Sequence, residues 1–274
     1  MCFKKIASWF HKPDPVIDPI PDPIPGQKRK IALLFAINDY PGSSNDLNGC
    51  INDQIDFIKK LNDQFPGFII RSFIDQQVTR VTFINEIRTA IRSLIPGDVL
   101  LIHYSGHGTQ VYDKHGDEED GYDEAVYLYD GIVIDDDIGD ALQGIVDGAT
   151  VVIALDSCFS GTATRAPLTN WFKKSKYVQN PNLKKRRKKR IRFQKSEMKW
   201  IVFSGCSEQQ TSADAYINGR YNGAFTYYAL KTLSPGITYR EWISKINSYL
   251  PNKDFDQIPT LEGQESLFDL VVFT

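Results

Sequence analysis

Two patterns of apolar positions alternate along this chain. One is the near-continuous run. Lys30 to Ile37 (KIALLFAI) is the first, and it has the composition of a strand buried on both faces. Phe68 to Ile74, Asp98 to Tyr104 (DVLLIHY), Thr150 to Leu155 (TVVIAL) and Lys199 to Ser204 (KWIVFS) repeat it, and Ser266 to Phe273 reads as a last strand. The other pattern has helical spacing. Gly49 to Phe65 aligns Ile51, Ile55, Ile58, Leu61 and Phe65 on one face. Thr82 to Leu94 turns Ile84, Ile87, Ile91 and Leu94 inward, and Pro96-Gly97 stops it. Further helices are expected near Gly223 to Leu233 and Thr238 to Tyr249. Tyr127 to Ile134 reads as a hairpin turning at Asp130-Gly131. Strands alternating with helices predict an α/β fold on a mainly parallel sheet. Ligands of such sheets bind beyond the carboxyl ends of the strands.

Three segments leave this rhythm. Residues 1–27 hold a short amphipathic tip, with Phe3, Ile6, Trp9 and Phe10 among lysines, and then a Pro-rich spacer from Pro13 to Pro25. Repeated X-Pro steps make that spacer extended and semi-rigid. The tip is expected to be a frayed tail or a docked helix, and membrane contact by it is the lesser reading. Asp113 to Asp140 is strongly acidic. A loop of about 165–197 carries KKRRKKR at Lys184 to Arg190, a run whose self-repulsion predicts a solvated segment. The domain proper is thus 28–274.

Composition narrows the class. The 274 residues carry 32 Lys+Arg against 34 Asp+Glu, a net charge of -2, which disfavours a surface built for nucleic acid. Four dispersed cysteines, with no CxxC pair, suit neither a disulfide scaffold nor a cysteine-rich zinc site. No apolar run is long enough for a transmembrane helix. A reducing, cytoplasmic setting is expected. No GxGxxG or P-loop follows the first strand, which argues against a nucleotide-binding, flavodoxin-like module.

Two strand ends carry candidate chemistry. The third strand runs into Ser105-Gly106-His107-Gly108, and the fourth into Asp156-Ser157-Cys158. A cysteine and a histidine past neighbouring parallel strands suit a thiol nucleophile with an imidazole base. The amides of Gly108 and Cys158 are candidate donors to a tetrahedral oxyanion. A buried structural cysteine is the competing reading.

The wording of these motifs resembles the metacaspases, caspase-like cysteine peptidases of family C14. The likeness lies in YSGHG, DSCFSG, the GCIND of Gly49 to Asp53, GDEEDGYDE at Gly116 to Glu124, IVIDDDI at Ile132 to Ile138, SGCSEQQTSADA at Ser204 to Ala215, NGAFTYYAL and QIPTLEG, in the family's order. The resemblance implies a three-layer α/β/α caspase-like fold and a His107–Cys158 dyad. It implies an S1 pocket from Cys50, Asp53, Ser105 and Asp156 that takes Arg or Lys, and hence protein or peptide substrates with those residues at the cut. No organic cofactor is implied. Ca²⁺ is, at Asp123, Asp135 and Asp136, whose hard oxygen donors suit it. Arg165 stands where the family often has a fourth aspartate, and Phe159 where it often has histidine. Self-cleavage is expected at Lys184, Lys185, Arg186, Arg187, Lys188, Lys189 or Arg190, and a monomer is expected. An inactive caspase-like scaffold that binds protein partners is the alternative.

Overall fold

The computed structural model describes residues 19–24, 26–112, 122–158, 173–179, 198–206 and 212–274. Its centre is a six-stranded sheet. In chain order its strands are β1 (Lys30–Ala36), β2 (Phe68–Ile74), β3 (Val99–Ser105), β7 (Thr150–Asp156), β9 (Ile201–Ser204) and β12 (Thr260–Gly263). They lie in the order β12-β9-β7-β3-β1-β2. All neighbours are parallel except β12, which runs antiparallel to β9. The apolar runs of β1, β3 and β7 are buried throughout because both faces are covered.

One face packs against α2 (Arg80–Ser93) and α3 (Asp135–Ala141), through Phe83, Ile87, Ile91 and Ala141. The other packs against α1 (Cys50–Gln64), α4 (Ala224–Thr232) and α5 (Tyr239–Asn247), through Phe57, Leu61, Phe225, Leu230 and Trp242. A short α6 (Glu265–Phe268) follows β12. Two small antiparallel sheets cap the carboxyl end. One joins β4 (Gly108–Tyr112), β5 (Tyr122–Leu128) and β6 (Gly131–Ile134). The other joins β11 (Arg220–Gly223), β10 (Ala213–Ile217) and β8 (Lys173–Ser175).

The structure corrects two expectations about elements. Of the stripe expected on helix α1, Leu61 and Phe65 are buried and Ile51 and Ile58 pack partly buried against the core, but Ile55 is 52% exposed. The buried face is turned to include Cys50, Asp53, Gln54 and Phe57 beside Leu61. The polar members of that face find partners: Gln54 donates to the Leu34 and Phe73 carbonyls at 2.7 and 3.0 Å. Partnered polar groups can be buried, so counting apolar positions missed the polar part of the buried face. The last strand is Thr260–Gly263, not Ser266 to Phe273. The terminal residues instead send Phe273 into an aromatic cluster with Phe65, Phe68, Tyr239 and Trp242. Sequence reading also missed β4, α3 and the β10–β11 hairpin, each too short to show a period. The spacer is partly docked, since the Pro21 carbonyl accepts from Arg29 at 2.7 Å. The tip, Arg165, Phe159, the basic run at 184–190 and most of the GDEEDGYDE segment lie outside the described residues.

Candidate active site

β3 and β7 are adjacent and in register, with Ser105 opposite Asp156. Their carboxyl ends therefore deliver His107 and Cys158 to one edge of the sheet. Helix α1 brings Asp53 to the same edge. Its N-terminus is fixed from outside: Asn38 Oδ1 accepts from the Cys50 amide at 2.9 Å. That does the work of an N-cap, since Gly49 has no side chain to do it.

The imidazole of His107 is held by its neighbours. Nε2 lies 2.6 Å from the Asn45 carbonyl oxygen. A carbonyl only accepts, so Nε2 carries the proton and Nδ1 keeps a lone pair. Nδ1 is buried and has no hydrogen-bond partner among the described residues. Burial lowers the ring's pKa to about 4, against the opposing pull of the Asn45 and Lys176 carbonyls. The backbone is fixed too. The His107 amide donates to Tyr40 Oη at 2.8 Å, and Tyr104 Oη donates to the His107 carbonyl at 2.8 Å.

Cys158 is fully buried. Its thiol donates to the Ser212 carbonyl at 3.1 Å and receives the Ser212 amide. Burial, with Cys206 beside it, pushes this thiol well above its ordinary pKa. Cys158 is therefore a neutral thiol in this state.

One oxygen joins the two strand ends. The Lys176 carbonyl accepts from the Gly108 amide at 2.8 Å and from the Cys158 amide at 3.3 Å. These are the two donors expected of an oxyanion hole, converging on one carbonyl.

The Lys176 side chain enters the acidic pocket and is completely buried. Its Nζ lies 2.9 Å from Ser105 Oγ, 3.1 Å from Asp156 Oδ1 and 3.4 Å from Asp53 Oδ2. Ser105 in turn donates to Asp53 at 2.7 Å. Asp53 also accepts from the Gly223 amide at 2.9 Å and from Asn222 Nδ2 at 3.1 Å. Asp156 accepts from Ser212 Oγ at 2.6 Å and from the Thr226 amide and hydroxyl at 2.9 and 2.7 Å. The fourth expected pocket residue, Cys50, is buried and electrostatically coupled to the Lys176 ammonium. Gly223 forms a wall, because a Cβ there would overlap the Asp156 carboxylate and the Lys176 ammonium.

The charges divide unequally. Burial pushes both carboxyls up. At Asp156 the Lys176 ammonium and the Ser212 and Thr226 hydrogen bonds prevail, holding it below the usual carboxylate range. At Asp53 burial prevails and the pKa is raised, with the Asp156 charge adding to it. Burial lowers the Lys176 pKa, but Asp156, Cys50, Asp53 and Asp214 more than reverse this, so the amine stays protonated. Two carboxylates in a dry pocket need such a cation.

Sequence reading did not find Lys176, Ser212, Asp214, Gly223 or the Asn45 carbonyl. Asp214 is buried at the same edge, with Oδ2 accepting from the Asn48 amide at 2.7 Å and Oδ1 without a hydrogen bond among the described residues. Its place inside SGCSEQQTSADA was the available signal. His103 is a core residue, with Nε2 3.2 Å from Thr226 Oγ1.

The suggested calcium donors stand elsewhere. Asp123 is on β5, and Asp135 and Asp136 open α3. Among the described residues, no group of three or more His, Cys, Asp or Glu side chains is disposed to hold a metal ion.

A caspase-domain family model matches residues 29–270 of this sequence. The chain belongs to the caspase-domain family, among its metacaspases. A Metacaspase-1 of Meyerozyma guilliermondii is 31% identical over 86% of this chain and 69% of its own length. A Metacaspase-1 of Scheffersomyces stipitis is 32% identical over 85% of this chain and 70% of its own. Among solved structures, protein GSU0716 from Geobacter sulfurreducens superposes with a TM-score of 0.69 at 27% identity, covering 90% of this chain and 98% of that one. This metacaspase is therefore a caspase-like cysteine peptidase with a mainly parallel central sheet.

Proposed function

We propose that this metacaspase is an endopeptidase that cuts after Arg or Lys, with Cys158 as nucleophile and His107 as base. One observation carries the reading. A fully buried lysine side chain fills the Asp53–Asp156 pocket while its own carbonyl oxygen rests on the Gly108 and Cys158 amides. A substrate residue before the scissile bond must satisfy both conditions at once. An Arg guanidinium can meet the carboxylates bidentately, and a Lys ammonium meets them as a point charge.

In the reaction, Cys158 Sγ adds to the carbonyl carbon and passes its proton to His107 Nδ1. The Gly108 and Cys158 amides take up the oxyanion charge. His107 returns the proton to the departing amine, and water then hydrolyses the thioester with His107 as base. In the described state the thiol must leave its bonds to Ser212 before it can attack.

Calcium activation and self-processing belong to the same proposal. Calcium rests on the donor chemistry of Asp123, Asp135 and Asp136, and no step above depends on it. The basic run at 184–190 would supply cleavable bonds, since its lysines and arginines fit the pocket's chemistry. A cytoplasmic setting suits a thiol nucleophile, and we take the enzyme to act as a monomer. Among the described residues no helix is long and apolar enough to cross a membrane.

The test is a positional-scanning peptide library read with wild type and Cys158→Ala, in calcium and in chelator. Cleavage confined to bonds after Arg and Lys, and lost in Cys158→Ala, is expected. Cleavage after other residues would overturn the specificity. Absence of any turnover would leave a partner-binding scaffold.

A further inference from the structure

We infer that two fully buried residues, His103 and Gln257, are positioning residues for the pocket carboxylate Asp156: each donates to a hydroxyl, and each hydroxyl is thereby left with its one proton for a carboxylate oxygen. This rests on the Arg/Lys peptidase reading above, since it concerns how the proposed pocket keeps its charge.

The direction of each bond follows from counting protons. Asp156 is held below the usual carboxylate range, so it is ionised and only accepts. Thr226 Oγ1 lies 2.7 Å from Asp156 Oδ2 and gives it the hydroxyl's single proton. Oγ1 can then only accept from His103 Nε2, 3.2 Å away. Burial lowers the His103 pKa to about 3, so the ring is neutral and carries one proton. That proton is on Nε2, and the buried Nδ1 has no hydrogen-bond partner among the described residues. The other oxygen is served in the same way. Gln257 Nε2 donates to Ser212 Oγ at 3.3 Å, and Ser212 Oγ donates to Asp156 Oδ1 at 2.6 Å.

Neither residue is there for apolar packing. His103 stands in β3 between the buried Ile102 and Tyr104, where a valine or leucine would leave no polar atom behind. An imidazole leaves Nδ1 unpaired, a cost that the bond to Thr226 must offset. Gln257 uses both ends of its amide. Oε1 accepts from the Ala213 amide at 3.1 Å, and Nε2 donates also to the Gly205 carbonyl at 2.7 Å. It thus ties the end of β9 to the start of β10 while it fixes the Ser212 hydroxyl.

The two pocket carboxylates differ in this respect. At Asp53 the donating hydroxyl is Ser105, and the group behind it is the Lys176 ammonium, 2.9 Å from Ser105 Oγ. There the hydroxyl's direction is set by the cation in the pocket. At Asp156 it is set by the fold, so Asp156 is charged whether or not the pocket is filled. Lys176, Asp53, Asp214 and Cys158 also act on Asp156 through their charges. All four stay in place when His103 or Gln257 is replaced.

The test reads the Asp156 carboxyl directly, by carbon-13 NMR of the full chain labelled at aspartate carboxyls. The resonance is assigned by its loss in Asp156→Asn. His103→Leu and Gln257→Met should each make it titrate about one pH unit higher, a tenfold gain in proton affinity. His103→Gln, which keeps a donor near the Nε2 position, should not. Kinetics give the second reading. Lys176 and a peptide compete for the same carboxylate, so Lys176→Gln serves as the parent. Adding His103→Leu should raise KM for an Arg peptide about tenfold with kcat within about twofold, because the dyad is untouched. Adding His103→Gln in its place should hold KM near that of the parent. Thermal melts show that each chain is folded. An unmoved Asp156 titration in folded His103→Leu or Gln257→Met, or a fall in kcat with KM unchanged, overturns the inference and leaves the Arg/Lys reading standing. A parent that cuts other peptides but none after Arg or Lys defeats that reading and the inference with it.

Discussion

The Asn45 carbonyl oxygen lies 2.6 Å from His107 Nε2 and thereby decides which ring nitrogen is basic. The proton is placed on Nε2 and the lone pair on Nδ1. Among the described residues a main-chain carbonyl, not an acidic side chain, orients this imidazole. His107→Gln keeps a polar group but removes a titratable nitrogen. It should lower kcat by about 100-fold or more, the usual worth of a positioned general base. Single-turnover kinetics on a fluorogenic Arg peptide would check this, and an unchanged rate would dismiss His107 as base.

Tyr40 should act through His107 rather than on substrate. Its hydroxyl receives the His107 amide and lies 3.4 Å from the Tyr104 hydroxyl. Tyr40→Phe leaves a buried amide unpaired, at a cost of about 1–3 kcal/mol. Stability should fall by that order in urea unfolding. kcat should drop while KM holds, because the pocket carboxylates do not touch Tyr40. A raised KM with normal kcat would contradict this.

Gly223 is the pocket wall. Gly223→Ala places a methyl group where the Asp156 carboxylate and a bound ammonium meet. It should remove cleavage after Lys and Arg almost completely while leaving the rest of the fold near native. Circular dichroism together with peptide turnover tests both halves. Retained turnover would show that the wall yields.

If the proposed pocket binds a basic substrate residue, Asp156 should meet its charge more than Asp53, since Asp156 is held ionised while Asp53 is pushed up by burial. Asp156→Asn should therefore cost more in kcat/KM than Asp53→Asn, by about tenfold. The larger loss is expected to approach the few kcal/mol that follow from stripping one partner from a buried pair. Parallel assays on Arg and Lys peptides would check the order, and a reversed order would refute it.

Acid should unfold the protein through its histidines. His103 is lowered to about 3 and His107 to about 4, both chiefly by burial. An unfolded histidine titrates near 6.5. Below that pH the unfolded chain binds protons that the folded one refuses, so stability is full above about 6.5 and falls as pH drops toward 4. Each histidine contributes a slope of up to about 1.4 kcal/mol per pH unit in that window. Urea midpoints at pH 7 and pH 5 measure it. His103→Asn should shrink the difference between them, and an equal difference would exclude His103.

Much of the sheet was legible in the sequence, for a simple reason. Strands covered on both faces must be apolar at every position, and Ile31 to Ala36, Val99 to Ile102 and Val151 to Leu155 are. The placement of His107 and Cys158 at one edge then followed from parallel topology and the position of each residue past its strand. The buried face of α1 was not legible. Asp53 and Gln54 look like solvent residues in the sequence, and only their partners on β1, β2 and β11 make their burial affordable.

The sequence by itself determined the layered parallel sheet and set His107 and Cys158 just past the ends of neighbouring strands, which depends on residue type and on local period. The acidic pocket was expected only from the resemblance to the metacaspases. Only the tertiary structure decided that Lys176 fills that pocket, that the Asn45 carbonyl fixes the base and that Gly223 sets the wall. Each of those joins residues far apart in the chain, and one lysine among many in a basic loop is singled out by the reach of β8 from β10. Pairing of β8 with β10 is what carries the Lys176 side chain to Asp53 and Asp156.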